Sequence, residues 1–448
     1  MRYLPLTAQD REEIRQTLGI SRTAELFSCI AEGQCHFPLT TLPAALSEPE
    51  LLEKFKEYAA KNSYHDHLSF LGGGAYRHFI PEVVNFLSSK GEFVTPYTPY
   101  QPEVSQGSLQ AMFEYQTLMT QLSGLDVSNS SLYDGGTAAA EAMLLILRKS
   151  GRKKVLVAGN LHPEYIEIMR TFVQNIDCRL ELLDFCRREG KIVLDDLHRK
   201  LDDDTAGVIF GSPNFFGVVE ESEQIAAAVH AKKAYAVQVI SEAMSLAFLT
   251  PPGEQGVDLA VGEAQSFGIP LGFGGPYLGF MTAREEFLRQ MPGRIVGQTV
   301  DVDGKRGYVL TLSTREQHIK REKATSNICS NEAWCAFRAA MYLVTMGKAG
   351  LMQVARQNHE NTVYFVQQLA AVPGISVRFT RDFFNEVVVD IPGDVQLCLD
   401  RLKKNGILAG IPLKWFFPDL SGSILINFTE MHKKEDIDRL VKALGDVR

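Results

Sequence analysis

Lys154-Val155-Leu156-Val157-Ala158 reads as a strand, and the run from Pro163 to Asn175 that follows it reads as a helix. The same alternation continues outward. Strand-like runs recur at Cys178–Leu183, Ala206–Phe210, Tyr235–Ile240, Val257–Val261 and Tyr277–Thr282. Helical runs at Gly136–Lys149, Asp195–Leu201 and Ser222–Lys232 fall between most of them. Short, strongly apolar strands separated by helices predict an α/β fold whose mainly parallel sheet is covered on both faces.

The pattern changes on either side. Residues 1–69 are expected to form an N-terminal arm. Its helices are Thr7–Leu18 and Glu48–Ala60, each led by a cap-like Thr or Ser, with an extended stretch at Phe37–Pro43 between them. Residues 70–329 are the large α/β domain. Residues 330–448 read as a smaller α+β domain: helices Glu332–Thr345 and Gly350–Ala371, strands Ile375–Phe379 and Glu386–Asp390, a helix near Asp394–Asn405, the strand Ser423–Phe428 and a last helix, Lys434–Leu444. A chain of 448 residues exceeds one ordinary core, which agrees with that division.

Composition removes several classes. A 45% apolar and 22% charged chain is ordinary for a globular protein. The net charge is −8 and no Lys/Arg block stands out, so no nucleic-acid partner is expected. No run approaches the roughly 18 apolar residues of a membrane span. Met1-Arg2-Tyr3-Leu4-Pro5-Leu6 lacks an apolar signal core, so the cytoplasm is the expected compartment. The seven cysteines show no C-x-x-C spacing and read as reduced and mostly packed. His65-x-His67 is the one close histidine pair and has no evident third ligand, so no metal is expected.

Several segments offer chemistry. Asp134-Gly135-Gly136-Thr137 opens a helix and reads either as a phosphate or carboxylate cradle or as a tight turn capped by Asp134 or Thr137. The loop Phe93–Gly107 alternates proline with Thr, Tyr and Gln. It suits recognition of a small polar substrate, or is a rigid surface connection. Leu71-Gly72-Gly73-Gly74-Ala75-Tyr76-Arg77-His78 lacks a nucleotide-loop ending. Its glycines suit a bend or an interface, and Arg77 or His78 is a candidate to meet a carboxylate. Arg315–Ser330 reads as a solvated linker with Ser330 or Asn331 as a cap. Gly262-Glu263-Ala264-Gln265-Ser266-Phe267-Gly268 reads as a strand end entering a glycine-rich turn. Between Gly211 and Gly304 the only lysines are Lys232 and Lys233, in a helical run that reads as a solvated face.

Four of these motifs, in this order, resemble the glycine cleavage system P-protein: Phe70–Tyr76, Thr95–Glu103, Asp134–Ala142 and Arg321–Cys329. The similarity covers nearly the whole chain and matches the N-terminal half of the single-chain form, which is the alpha chain where the enzyme is split in two. The resemblance implies a pyridoxal-phosphate (PLP) transferase of the aminotransferase type, fold type I. It implies decarboxylation of glycine and transfer of the aminomethyl group to the lipoyl arm of H-protein, with release of carbon dioxide. The lysine that holds PLP belongs to the other half. Aligned here, Ala264 falls at its histidine, Gln265 at the lysine and Ser266 at its threonine. Ser241, with Glu242 beside it, falls near the acid that would meet the pyridine nitrogen.

The resemblance therefore implies a chain with no self-contained catalytic residue, completing a beta subunit that binds PLP covalently, as an alpha2-beta2 assembly. Tyr97, Tyr100, Gln101, Thr325 and Ser326 are the candidates for that shared site. Gly135, Gly136 and Thr137 become a vestigial cradle or an interface turn. The alternatives are a docking or regulatory subunit, and a self-sufficient PLP enzyme using Lys320 or Lys323.

Overall fold

The structure is a computed structural model that describes residues 6–31, 42–95, 97–328, 331–380 and 382–446. Most of the extended stretch Phe37–Pro43 lies outside the described residues, as do Pro96, Cys35, Cys329 and Ser330. The chain divides into two compact units, residues 1–65 and 66–448. In the first, helix Ala8–Leu18 begins at a capping box between Thr7 and Asp10, and helix Glu48–Ala60 begins at Ser47 and Glu50. Leu51, Leu52, Phe55 and Tyr58 on the second helix are exposed.

The second unit is built on a seven-stranded sheet: β1 (Val127–Ser128), β2 (Lys154–Ala158), β3 (Arg179–Leu183), β4 (Thr205–Gly211), β5 (Tyr235–Ile240), β6 (Leu259–Glu263) and β7 (Gly279–Ala283). The strand order is β1-β7-β6-β5-β4-β2-β3. β2 to β6 run parallel, and β7 is antiparallel to both β6 and β1. Neighbouring residues of a strand point to opposite faces, and the two cores follow from that. Leu259, Val261 and Met281 join Met143, Ile146, Met169 and Ile225 on one face. Ala260 and Phe280 join Tyr115, Met119, Phe267 and Tyr342 on the other. Each fully buried Leu, Ile, Val, Met or Phe among them contributes about 1.5–3 kcal/mol.

A four-stranded sheet of Ser376–Val377, Glu386–Asp390, Ser423–Asn427 and Ile411–Pro412 packs with helices Val395–Lys404 and Lys434–Asp446 around a core of its own. The two helices expected at 332–345 and 350–371 form one run, Ala333–Leu369. It is broken only at Gly347, whose φ of 59° and ψ of 177° suit glycine alone. Elements not anticipated from the sequence include helices Glu82–Ser88 and Gln106–Ser123, the short strand Val127–Ser128 and the antiparallel hairpin Ile295–Val300/Arg306–Thr311. Among the described cysteines, Cys335 and Cys398 are buried, Cys178 and Cys186 half-buried and Cys29 exposed. Packing is therefore less general than the sequence reading held. Among the described residues no helix is long and apolar enough to cross a membrane, and no three His, Cys, Asp or Glu side chains cluster to hold a metal.

Candidate functional site

In open α/β sheets the carboxyl ends of the parallel strands form the crevice where ligands bind. Here that edge carries Ser241 and Glu242 after β5, and Glu263 and Gln265 at and after β6. Gln265 is 2% exposed. Its Oε1 accepts from the Tyr76 backbone N–H at 3.1 Å, and its Nε2 donates to the Ile269 carbonyl at 2.6 Å. Both ends of the amide are spent, so it works as a clasp between the Gly72–Tyr76 segment and the turn after β6. Ala264 and Ser266 beside it are buried as well.

Glu263 ends β6 and is also buried. One carboxyl oxygen accepts from Gln265 N at 3.0 Å and Leu278 N at 2.7 Å, and the other accepts from Gly135 N at 3.0 Å. Burial pushes this carboxyl up to about 8 against the pull of those three N–H donors. Gly135 opens helix Gly135–Ser150, which is capped by Asp134 and Thr137: Thr137 N donates to Asp134 Oδ1 at 2.7 Å. A Cβ at residue 135 would lie 2.4 Å from the Tyr165 hydroxyl, and one at residue 136 would lie 2.5 Å from Ile168 Cδ1. The chain's own packing thus accounts for both glycines, and the geometry is that of the capped turn.

A second set of acids meets the Gly72–His78 segment. His78 lies between Glu430, 2.8 Å from Nδ1, and Glu242, 3.1 Å from Nε2. Burial lowers its affinity for a proton, but the two carboxylates outweigh that and raise it to about 10. Of the two residues singled out there, His78 is the one that meets carboxylates, and they are internal. Tyr76 donates its hydroxyl to Glu386 Oε2 at 2.8 Å, and Gly73 N donates to Glu386 Oε1 at 2.7 Å. A Cβ at residue 72 would reach Glu386 Oε1 at 2.3 Å, so the glycine run serves this close approach. Burial raises Glu386 to about 7. Tyr76, His162, Asn214, Ser241, Glu242 and Glu386 are among the residues around a cavity of only ≈ 10 Å³, about the room of one water.

These acids set a pH dependence. Glu263, Glu386 and Glu220 hold protons more tightly in the fold than a free glutamate, with values of about 8, 7 and 7. A group raised on folding contributes stability that is complete below its unfolded value and lost as pH rises through its folded one. His78, raised to about 10, has the same sign. The urea midpoint of the chain should therefore fall as pH rises from 5 to 8.5, and a midpoint that climbs over this window would contradict the assignment.

The residues picked from the sequence for a shared site fall into two neighbourhoods. Tyr97 is 79% exposed and lines a shallow apolar groove with Phe93, Val94, Trp334 and Phe337. Tyr100, 56% exposed, lies with its ring 5.8 Å from the Arg294 guanidinium and edge-on to His318 at 5.8 Å. Gln101 is exposed and leads into the turn Pro102–Val104. Thr325 and Ser326 line a small cleft with Gly293, Arg294, Arg315 and Glu316. Arg294 thus links Tyr100 to Thr325 and Ser326, while Tyr97 stands in the other groove. Ser326 Oγ is turned inward: it donates to Glu141 Oε1 at 2.7 Å and accepts from Ile328 N at 3.1 Å. Residues 317–323 are exposed, as a solvated linker would be, but Arg315 at its start is not. It is buried and donates to the Met291 carbonyl and, at 2.7 Å, to the Gly293 carbonyl. Lys320 and Lys323 are exposed. Sequence reasoning did not find Glu141, Tyr165, Glu263, Arg294, Glu386 or Glu430. The one available signal was that Glu141 and Glu263 are charged residues inside apolar runs.

Residues 1–444 match the family model described as "Glycine cleavage system P-protein". A relative from Moorella thermoacetica, "Probable glycine dehydrogenase (decarboxylating) subunit 1", is 46% identical over 447 residues, covering 100% of both chains. The crystal structure of a glycine decarboxylase (P-protein) of the glycine cleavage system, in inhibitor-bound form, superposes with a TM-score of 0.91 at 39% identity over 100% of each chain. A NifS-like protein from Rickettsia africae shares the fold, with a TM-score of 0.63 at 11% identity over 85% of this chain and 99% of its own. The fold is the α/β architecture of PLP-dependent transferases of fold type I, as the sequence led us to expect.

Proposed function

The chain belongs to the glycine cleavage system P-protein family, and on that premise we propose that it is the alpha subunit, subunit 1, of a two-subunit glycine dehydrogenase (decarboxylating). In this reading PLP serves the complete enzyme and is held covalently by a beta subunit, in an alpha2-beta2 assembly in the cytoplasm. The complete enzyme decarboxylates glycine and passes the aminomethyl group to the lipoyl arm of H-protein, releasing carbon dioxide. The observation that carries the reading is Gln265. The residue aligned with the anchoring lysine has no amine, is buried, and has both ends of its amide committed. PLP does not fit this chain's own edge of the sheet, because the cavity there is ≈ 10 Å³.

What the chain supplies instead is presented outward. Tyr97, Tyr100 and Gln101 are exposed on the proline-rich loop, and Thr325 stands beside Arg294 and Arg315. We assign the tyrosines and Gln101 to the partner's pocket, and Thr325 and Ser326 to its phosphate side, with Ser326 acting through the loop it fixes. We keep 70–329 and 330–448 as large and small domains and residues 1–69 as an arm; the core that Val389, Ile424 and Leu440 share supports the small domain, and Leu68 and Phe70 pack into it.

In the reconstituted pair, Tyr97→Phe or Tyr100→Phe should lower kcat roughly tenfold, the value of about 1.4 kcal/mol of hydrogen bonding at the transition state, without separating the subunits. Unchanged kinetics would remove that tyrosine from the site. The reading as a whole is tested by release of labelled carbon dioxide from carboxyl-labelled glycine, expected only when both subunits and lipoylated H-protein are present. The isolated chain, treated with PLP and borohydride, should carry no stoichiometric adduct. An adduct at Lys320 or Lys323 would instead support a self-sufficient enzyme.

A further inference from the structure

The start of helix Gly135–Ser150 and the end of β6 are closed by side chains of this chain. A helix N-terminus at the carboxyl edge of a parallel sheet is in general a place for a phosphate, because its first N–H groups have no partner within the helix. Here two of the first three donors along the turn are taken. Gly135 N donates to Glu263 Oε2 at 3.0 Å and Thr137 N to Asp134 Oδ1 at 2.7 Å. Glu263 is held in place by two further donors, Gln265 N and Leu278 N. Beside this turn lies Tyr165. Its hydroxyl fills the space next to Gly135, and its ring stacks on His162 with centroids 4.5 Å apart and planes 21° from parallel.

We infer that Glu263 and Tyr165 are a built-in filling of the cofactor cavity. The Glu263 carboxyl group stands where the oxygens of a phosphate would be held, and the Tyr165 ring on His162 stands where a bound aromatic ring would lie. Loss of the lysine at position 265 is then only one of three changes, and a lysine restored there meets an occupied cavity. The inference deepens the reading of the chain as a subunit that does not anchor PLP, but it stands on contacts within the chain and holds whichever partner completes the site.

Two variants test it. Q265K, incubated with PLP and reduced with borohydride, should show no stoichiometric adduct at position 265 by peptide mapping and no imine absorbance. Glu263→Gly should lower the thermal midpoint and open an anion site. Inorganic phosphate at tens of millimolar should then raise its midpoint by a few degrees over chloride at matched ionic strength, as ligand linkage requires, with no comparable rise in the wild type. A stoichiometric adduct at position 265 in Q265K would overturn the inference, and so would a phosphate response in Glu263→Gly no larger than the wild type's. If Glu263→Gly does not fold, the Q265K result decides alone. An adduct at Lys320 or Lys323 strikes the functional reading instead, so the two failures are distinguishable.

Discussion

His78→Ala is expected to cost about 3–5 kcal/mol, the usual penalty for removing one member of a buried ion pair. The histidine donates to Glu430 from one ring nitrogen and to Glu242 from the other, and all three side chains are nearly dry. The carboxylates are also fixed by backbone donors, Phe79 N to Glu430 at 2.7 Å and Met244 N to Glu242 at 2.8 Å, so neither is free to turn toward water. Without the imidazolium the two acids face each other across a cavity. Against a typical total of about 5–15 kcal/mol, such a loss leaves the variant marginal at neutral pH. Its deficit should shrink at pH 5, because without His78 burial is left to raise Glu430 toward its protonated form. Urea denaturation at pH 7 and pH 5 measures both effects. A loss under about 1 kcal/mol at pH 7 would mean that the ring carries no charge in the fold.

Arg315→Ala should be the most damaging change around the proposed shared site. Its guanidinium bonds two carbonyls, Met291 and Gly293, at the turn before Arg294. Leaving two buried carbonyls unmatched costs about 1–3 kcal/mol each, so a loss of about 2–6 kcal/mol is expected. Thr325 N donates to the Arg315 carbonyl at 3.2 Å, so the same change loosens the segment that presents Thr325. Turnover of the reconstituted pair should fall more than the folded fraction does, and Arg315→Lys should restore stability better than turnover. A variant whose activity simply tracks its folded fraction would show that Arg315 has no part in presenting Thr325.

The sheet was legible because its strands are short apolar runs rich in Val, Ile and Leu. Lys154–Ala158 and Tyr235–Ile240 fall where the sequence put them, four others shift by one or two residues, and the two-residue strand Val127–Ser128 was too short to read. The hairpin Ile295–Val300/Arg306–Thr311 was not legible. It is a two-stranded ribbon whose outer residues are solvated, with Val300 64% exposed, so no apolar alternation marks it. Helix Gln106–Ser123 was hidden by the proline-rich loop before it and by an N-cap, Ser105, that makes no side-chain cap bond. In the candidate site, Gln265 was visible as an absence of lysine, because a motif frame located it. The partners of the glycine-rich segment were out of reach. Tyr76 and Glu386 are 310 residues apart, and His78 and Glu430 are 352 apart. Contacts across such separations exist only once both sheets are folded, and no local pattern encodes them. Arg315 was misread for a related reason: a charged neighbourhood looks solvated until the carbonyls that bury it are in place.

Before the break at Gly347 the long helix packs through Tyr342 and Leu343 against the seven-stranded sheet; after it, Leu351 and Ala355 stay in that same core, and Phe365 and Leu369 reach the core under the four-stranded sheet. Glu242 belongs to the first side, whereas Glu386 and Glu430 belong to the second. His78 is the tie between the two sides, joining Glu242 to Glu430, while the helix beyond Gly347 touches both cores. A side chain at residue 347 would meet no neighbouring atom but would be held at a φ of 59° and a ψ of 177°, so its toll would be local backbone strain and not displaced packing.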